Sequence, residues 1–319
     1  MTGEFEIIRR HFTRPARTAA LGVGDDAALL RPRAGSTLAV TTDMLLQGRL
    51  FFAGADAESL GHKALAVNLS DLAAMGAVPR WALLSIALPR ADERWLAAFS
   101  RGLFRLARRF GTELIGGDTT RGPLAISITA IGEVPVKLAL RRDAACAGDD
   151  VWLSGATGEA ALGLAHLRGR VRLRGAAREA CLRRLHAPEP RVALGRALLG
   201  VARSAIDVSD GLLADLGHVA EASRVAAELR WEDLPRARAI AECASAKLAR
   251  DCLLAGGDDY ELAFTAPVSA RPRILAAGKK SRVRVTRIGS LLEGRPEVRV
   301  RDARGRAIAA PRAGFDHFA

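Results

Sequence analysis

The chain lacks most of the groups from which familiar cofactor and metal sites are built. Its 319 residues include one tyrosine, four tryptophans and ten phenylalanines, too few aromatic faces for a platform that stacks nucleic-acid bases. Cys146, Cys181, Cys243 and Cys252 show no CxxC spacing, and the six histidines form no HExxH. Neither a zinc centre nor a disulfide framework is therefore expected. There is no GxxxxGK[ST] loop and no kinase HRD or DFG set, and the GVGDD run ending at Asp26 is not a GxGxxG turn. Apolar runs stop well short of a membrane span, and residues 1–10 carry no signal-peptide pattern, which points to the cytoplasm.

With 49% hydrophobic and 26% charged residues the composition is that of a soluble globular protein, long enough for two domains. The formal charge is +13, yet only five of the 48 basic residues are lysine. The arginines scatter through 9–17, 101–109, 168–184 and 282–306, interleaved with Ala and Leu. That pattern fits solvated faces, and residues 168–186 in particular read as exposed. No nucleic-acid or membrane partner is expected, but a basic surface attracts small phosphorylated molecules.

Periodicity gives the organisation. A short helix is predicted over 4–12, a strand over 36–46 ending in Thr41, Thr42 and Asp43, and a helix from 57 to 75, with Asp56 as N-cap, Gly76 after its last apolar residue and Pro79 beyond. Leu60, Ala64, Val67, Leu72 and Met75 form the apolar face of that helix, interrupted by Asn68 and Asp71. His62 and Lys63, near its start, read as solvated. A strand over 81–89, a helix from Asp92, a strand over 112–122 breaking into a glycine turn at Asp118, and a strand over 124–134 follow. This order predicts an α/β domain with one sheet backed by helices, and 135–150 is the expected boundary. Beyond it come a strand over 151–155, helices over 159–167, up to 199, up to 223 and near 237–248, and strands near 205, 225–231, 260–265, 283–288 and 297–301.

Six acidic clusters stand out: GDD at 24–26, TTD at 41–43, SD at 70–71, GGDTT at 116–120, DVSD at 207–210 and GGDD at 256–259. Any one of them is ordinary turn chemistry. Six, each beside an apolar strand or helix, suggest more. Carboxylates and hydroxyls without His or Cys are hard oxygen ligands suited to Mg²⁺. If the clusters converge, several Mg²⁺ ions and a polyphosphate would neutralise them, the arrangement that phosphoryl transfer needs.

The runs GVGDDAALL, TTDML, HKALAVNLSDLAAMGAVP, GGDTTRGPL, IDVSDGLLADLGH, GGDDYEL and GFDHF, in that order, resemble thiamine-monophosphate kinase, of the aminoimidazole-ribonucleotide-synthetase-like superfamily. The resemblance implies ATP-dependent phosphorylation of thiamine monophosphate to thiamine diphosphate by direct in-line transfer, with no general base assigned. It implies two α/β domains, each a mixed sheet backed by helices: 1–140 for metal, ATP and dimerisation, and 141–319 completing the ATP, metal and substrate site. It also implies a homodimer. On the matching motifs, Asp26, Thr41, Thr42, Asp43, Asp71, Asp118, Asp207 and Asp210 resemble Mg²⁺ ligands. Gly117, Asp118, Arg142 and Ser209 resemble ATP contacts, with Arg141 adjacent to Arg142. Asp258 and Phe315 fall on substrate positions. Leu50 stands where members of the family commonly have His, Asp258 where Glu is usual, and Phe315 where Tyr or Trp is usual. Sister enzymes fit less well: the selenophosphate synthetases carry a reactive Cys and Lys near the N-terminus, and residues 1–30 contain neither.

Overall fold

In the computed structural model, which describes residues 3–309, the chain divides into two compact units. One comprises Met1–Leu72 and Ala77–Lys137, the other Ala73–Gly76 and Leu138–Ala319.

The first unit opens with α1 (Glu4–Ile7), continued by a π-helical turn over Ile8–Phe12. Strand β1 (Ser36–Leu46), α2 (Ala57–Ala74), β2 (Val78–Leu88), α3 (Glu93–Phe110), β3 (Glu113–Arg121) and β4 (Ala125–Pro135) follow. The order in the sheet is β1-β4-β2-β3. The β2–β3 pair is parallel and joined through α3; β1–β4 and β2–β4 are antiparallel. Asp56 and Asp92 start α2 and α3 as expected: Asp56 accepts the N–H of Ser59, and Asp92 those of Arg94 and Trp95. Helix α2 is buried almost all round, with Leu65, Ala66 and Leu69 inside as well as Leu60, Ala64, Val67 and Leu72. Two glycines permit this. A Cβ on Gly102 of α3 would stand 1.8 Å from the Glu58 carbonyl oxygen, and one on Gly61 of α2 would stand 2.1 Å from that of Phe99, so the two backbones meet directly. Lys63 is only 4% exposed rather than solvated, a consequence of burying the whole helix.

The expected glycine turn at Asp118 is instead unbroken strand. Gly117 adopts φ +144°, and a Cβ there would lie 1.8 Å from the Leu84 carbonyl oxygen. The glycines let β3 continue against β2, past a register shift at Ala82/Leu83, to Arg121. Similarly, Thr41–Asp43 occupy the middle of β1 rather than its end.

The second unit has a six-stranded sheet, formed by β5 (Asp150–Ser154), β6 (Ser204–Asp207), β7 (Ala226–Arg230), β8 (Leu262–Ala266), β9 (Val285–Leu292) and β10 (Glu297–Arg301) in the order β10-β7-β9-β5-β8-β6. Among its described strand pairs only β10–β7 is parallel. Its helices are α4 (Glu159–Leu167), α5 (Gly175–His186), α6 (Val192–Leu198), α7 (Leu212–Ser223), α8 (Arg238–Ala241), α9 (Ala246–Ala255) and α10 (Arg271–Ser281). Three features differ from the sequence reading. The basic 168–186 stretch contains α5, whose Cys181 and Leu185 are buried. The helix expected near 237–248 is two helices, because Ser245 caps a new one through the N–H of Leu248. Helix α10 had no counterpart among the predicted elements. The core gathers Val151, Leu153, Ile206, Leu212, Leu216, Leu253, Ala263 and Ile288.

Candidate active site

In the first unit the candidate residues of β1 split between the two faces of the sheet, because side chains alternate along a strand. Thr41 and Asp43 are half-buried on the side of the buried Leu45, and Thr41 Oγ1 donates to Asp71 Oδ2 on α2. The acid that interrupts the apolar helix thus has a partner on the adjoining strand. Asn68, one turn earlier, is fully buried and turns its amide back to the Ala64 carbonyl at 3.1 Å. Thr42 lies on the opposite face. Its Oγ1 accepts from Thr129 Oγ1 at 3.1 Å and lies 3.2 Å from the Ile128 carbonyl oxygen, to which it can donate.

Asp118 is exposed and belongs to that second face: it is in register with Ser85, Ser85 with Ser127, and Ser127 with Met44. Strands β1 and β3 are the two edges of the sheet, three strand spacings or about 14 Å apart. Asp43 and Asp118 of one chain are therefore not brought together. Asp26 is exposed in the loop before β1, where Asp25 accepts its N–H at 2.9 Å. Leu50 is half-buried in a tight turn after β1, its N–H on the Leu46 carbonyl at 3.0 Å.

In the second unit Asp207 ends β6, 4% exposed. The turn after it carries Ser209 and Asp210, and one oxygen of Asp215 in α7 holds it. Oδ2 accepts the N–H groups of Ser209, Asp210 and Gly211 at 3.0, 3.1 and 3.1 Å. Burial, reinforced by the nearby Asp210, pushes the Asp215 carboxyl up to about 7 despite those donors.

The same turn is tied to the loop over 256–260. Asp258 N–H reaches the Ser209 carbonyl and Tyr260 N–H that of Val208, both at 2.8 Å. Asp258 and Tyr260 have φ of +68° and +52°, a region non-glycine residues enter at some cost, and the Tyr260 hydroxyl donates to Asp258 Oδ1 at 3.0 Å. Asp259 turns inward, 1% exposed, and accepts the N–H groups of Gly158 and Ala160 at the start of α4. Burial holds its carboxyl well above the ordinary range.

Beneath this loop Glu261, with no exposed surface, accepts from Arg191 Nε at 2.7 Å and from Arg191 NH2, from Ser154 Oγ, and pairs with Arg184 at 3.1 Å. Of the two neighbouring arginines, Arg141 is committed to Asp143. Arg142 is exposed, and its carbonyl accepts from Ser223 Oγ at 2.6 Å. Phe315 lies outside the described residues.

Asp215, Asp259, Tyr260 and Glu261 were not singled out from the sequence, although all four fall within recognised motifs. The signal for Asp215 was present: it is an acid at core spacing among Leu212, Leu213, Leu216 and Val219, all buried.

The donors in these turns are oxygens throughout, which suits Mg²⁺. Among the described residues no three His, Cys, Asp or Glu side chains gather closely enough to hold a metal. Mg²⁺ commonly takes only one or two protein carboxylates and completes its shell with phosphate oxygens and water. The residues therefore fit it in kind.

Comparison with known proteins agrees with this picture. Residues 24–134 match the family model for AIR synthase related protein, N-terminal domain. The thiamine-monophosphate kinase of Escherichia coli K12 is 42% identical over 324 residues, covering 99% of this chain and 98% of its own. A crystal structure of thiamine-monophosphate kinase from Stenotrophomonas maltophilia K279a superposes with a TM-score of 0.85 at 46% identity, covering 95% of this chain and 96% of that one. The structure of AaThiL complexed with AMPPCP and TMP superposes with a TM-score of 0.78 at 30% identity, covering 90% and 89%.

Proposed function

The chain belongs to the thiamine-monophosphate kinase family, and we propose that it transfers the terminal phosphate of ATP to thiamine monophosphate, the last step of thiamine diphosphate biosynthesis. The observation that carries this reading is the 42% identity to the Escherichia coli enzyme across 99% of the chain. The AaThiL complex with AMPPCP, a non-hydrolysable ATP analogue, and TMP supports the same pair of substrates.

In the first unit the ligands assigned to Mg²⁺ are Asp26, Thr41, Thr42, Asp43, Asp71 and Asp118; in the second they are Asp207 and Asp210. Bound there, Mg²⁺ would neutralise the charge of the polyphosphate. The protein's own task is to hold these oxygens in place. Thr41 orients the Asp71 carboxylate, and Asp215 fixes the backbone around Ser209 and Asp210. Gly117, Arg142 and Ser209 are assigned to ATP. Arg142 is favoured over Arg141, whose guanidinium is held by Asp143. Asp258, steadied by Tyr260, is assigned to the thiamine phosphate, with Leu50 and Phe315 at the same substrate. A phosphate monoester is largely ionised near neutral pH, so its oxygen can attack the γ-phosphorus in line with no protein base.

The reading includes a homodimer through the sheet face of the first unit that bears Thr42. Val40 and Met44 are 62% and 56% exposed there, and Leu46 is 40% exposed, an apolar edge that favours pairing. The test is ADP release by the purified protein with Mg²⁺, ATP and a panel of phosphorylated acceptors. Release that depends on thiamine monophosphate supports the assignment; release with another acceptor and none with thiamine monophosphate overturns it.

A further inference from the structure

Asp215 is buried, titratable and absent from the ligand set above, yet it makes three hydrogen bonds to backbone beside that set. All three N–H groups converge on a single oxygen, Oδ2. The turn they hold is braced from its other side by the bonds from Asp258 and Tyr260 to the carbonyls of Ser209 and Val208. A helix N-terminus ordinarily offers its free amides to phosphate. Here Asp215 takes the Gly211 amide at the N-cap of α7 and the two before it, leaving the turn to meet a nucleotide through side chains, carbonyls and metal.

We propose that Asp215 is a positioning residue for nucleotide binding: it fixes the backbone that carries Ser209 and Asp210 in the shape that accepts MgATP. The inference rests on the assignment of Ser209 and Asp210 to ATP and metal. What matters on this account is an acceptor oxygen at the Oδ2 position, and an Asn side chain supplies one. Alanine leaves three N–H groups inside the protein without a partner, and the turn must reshape to find others.

The experiment measures the dissociation constant of MgATP by calorimetric titration for the wild type and four variants. Asp215→Ala is expected to weaken binding roughly tenfold or more, while Asp215→Asn stays within about threefold of the wild type. A merely structural acid would lower the melting temperature and leave the affinity of the folded fraction unchanged. Ser209→Ala and Asp210→Asn separate the two levels of the argument. If neither weakens MgATP binding, the nucleotide assignment fails; if both do and Asp215→Ala does not, this inference fails. Equal losses in Asp215→Asn and Asp215→Ala would also overturn it, since charge rather than the acceptor would then be at work. Should Asp215→Ala not fold, amide hydrogen exchange of the wild type decides: slow exchange at Ser209, Asp210 and Gly211 is expected, and exchange at the rate of a free loop overturns the proposal.

Discussion

Glu261→Gln removes one negative charge from the interior of the second unit and changes little in volume. Glu261 has no exposed surface and Arg191 only 14% of its side chain exposed. Arg184 keeps Glu159 as a second partner at 3.5 Å, so the loss falls mainly on Arg191. A buried cation left without its counter-charge costs about 3–5 kcal/mol. The amide can still accept from Ser154 Oγ and one arginine N–H, which places the expected loss at the lower end, about 3 kcal/mol. With a urea dependence of roughly 3 kcal/mol/M, near the upper end for small domains, the unfolding midpoint drops by about 1 M. Equilibrium urea unfolding followed by far-UV circular dichroism measures it. The companion variant Glu261→Leu/Arg191→Leu removes both charges and should recover much of the loss, because apolar replacement of a buried ion pair is often near neutral. A Glu261→Gln midpoint indistinguishable from wild type would show that Arg191 does not depend on this charge, and a double variant less stable than the single would show the same.

Other outcomes follow from the same geometry. Asp71→Asn should lower turnover on the order of 10²–10³-fold, the scale of losing one charge-stabilising group, with an unchanged far-UV spectrum; normal turnover would return Asp71 to a role limited to bonding Thr41. Burial pushes the Asp215 carboxyl up to about 7 in the folded state, against about 3.9 for an unperturbed aspartate, so the folded state holds its proton more tightly. The stability this confers is full below about pH 4 and is lost as pH rises to 7, a change of about 4 kcal/mol. Urea midpoints across pH 4–7 should fall less steeply in Asp215→Asn than in the wild type, and equal slopes would contradict the burial of that carboxyl. MgATP should raise the melting temperature well above the rise with Mg²⁺ alone, by mass action on the folded state. An equal rise with metal-free ATP would mean that the basic surface, not a metal site, binds the nucleotide.

The first unit was largely legible in the sequence because its signals are local. Apolar periodicity, the Asp56 and Asp92 caps and the 3.6-to-2 alternation of period all act within a few residues, and α2, α3 and β1–β4 lie where they were expected. The misreadings concern tertiary causes. Gly116-Gly117 reads as a turn by local chemistry, but those glycines serve close approach to the Leu84 backbone. Lys63 reads as solvated until α2 is seen to be covered on nearly every side. The split of Thr41 from Thr42, and of Asp43 from Asp118, was implicit in strand alternation but needed the strand order to become visible. Asp259 and Glu261 were hidden for a related reason: the Gly158 amide lies 101 residues from Asp259 and Arg191 lies 70 residues from Glu261. The departure at Asp258 has a local cause. Its φ of +68° is a conformation that Asp tolerates better than Glu, so the shorter acid suits this loop.

In the proposed reaction the γ-phosphate of ATP becomes the terminal phosphate of thiamine diphosphate. A single-turnover reaction with ATP carrying a labelled γ-phosphate, enzyme in excess and Mg²⁺ present, tests it directly when the quenched products are separated and the label is traced. Label is expected in the terminal phosphate of thiamine diphosphate, appearing as fast as ATP disappears, with little passing through free phosphate. Label released as inorganic phosphate while thiamine monophosphate stays unchanged would contradict it.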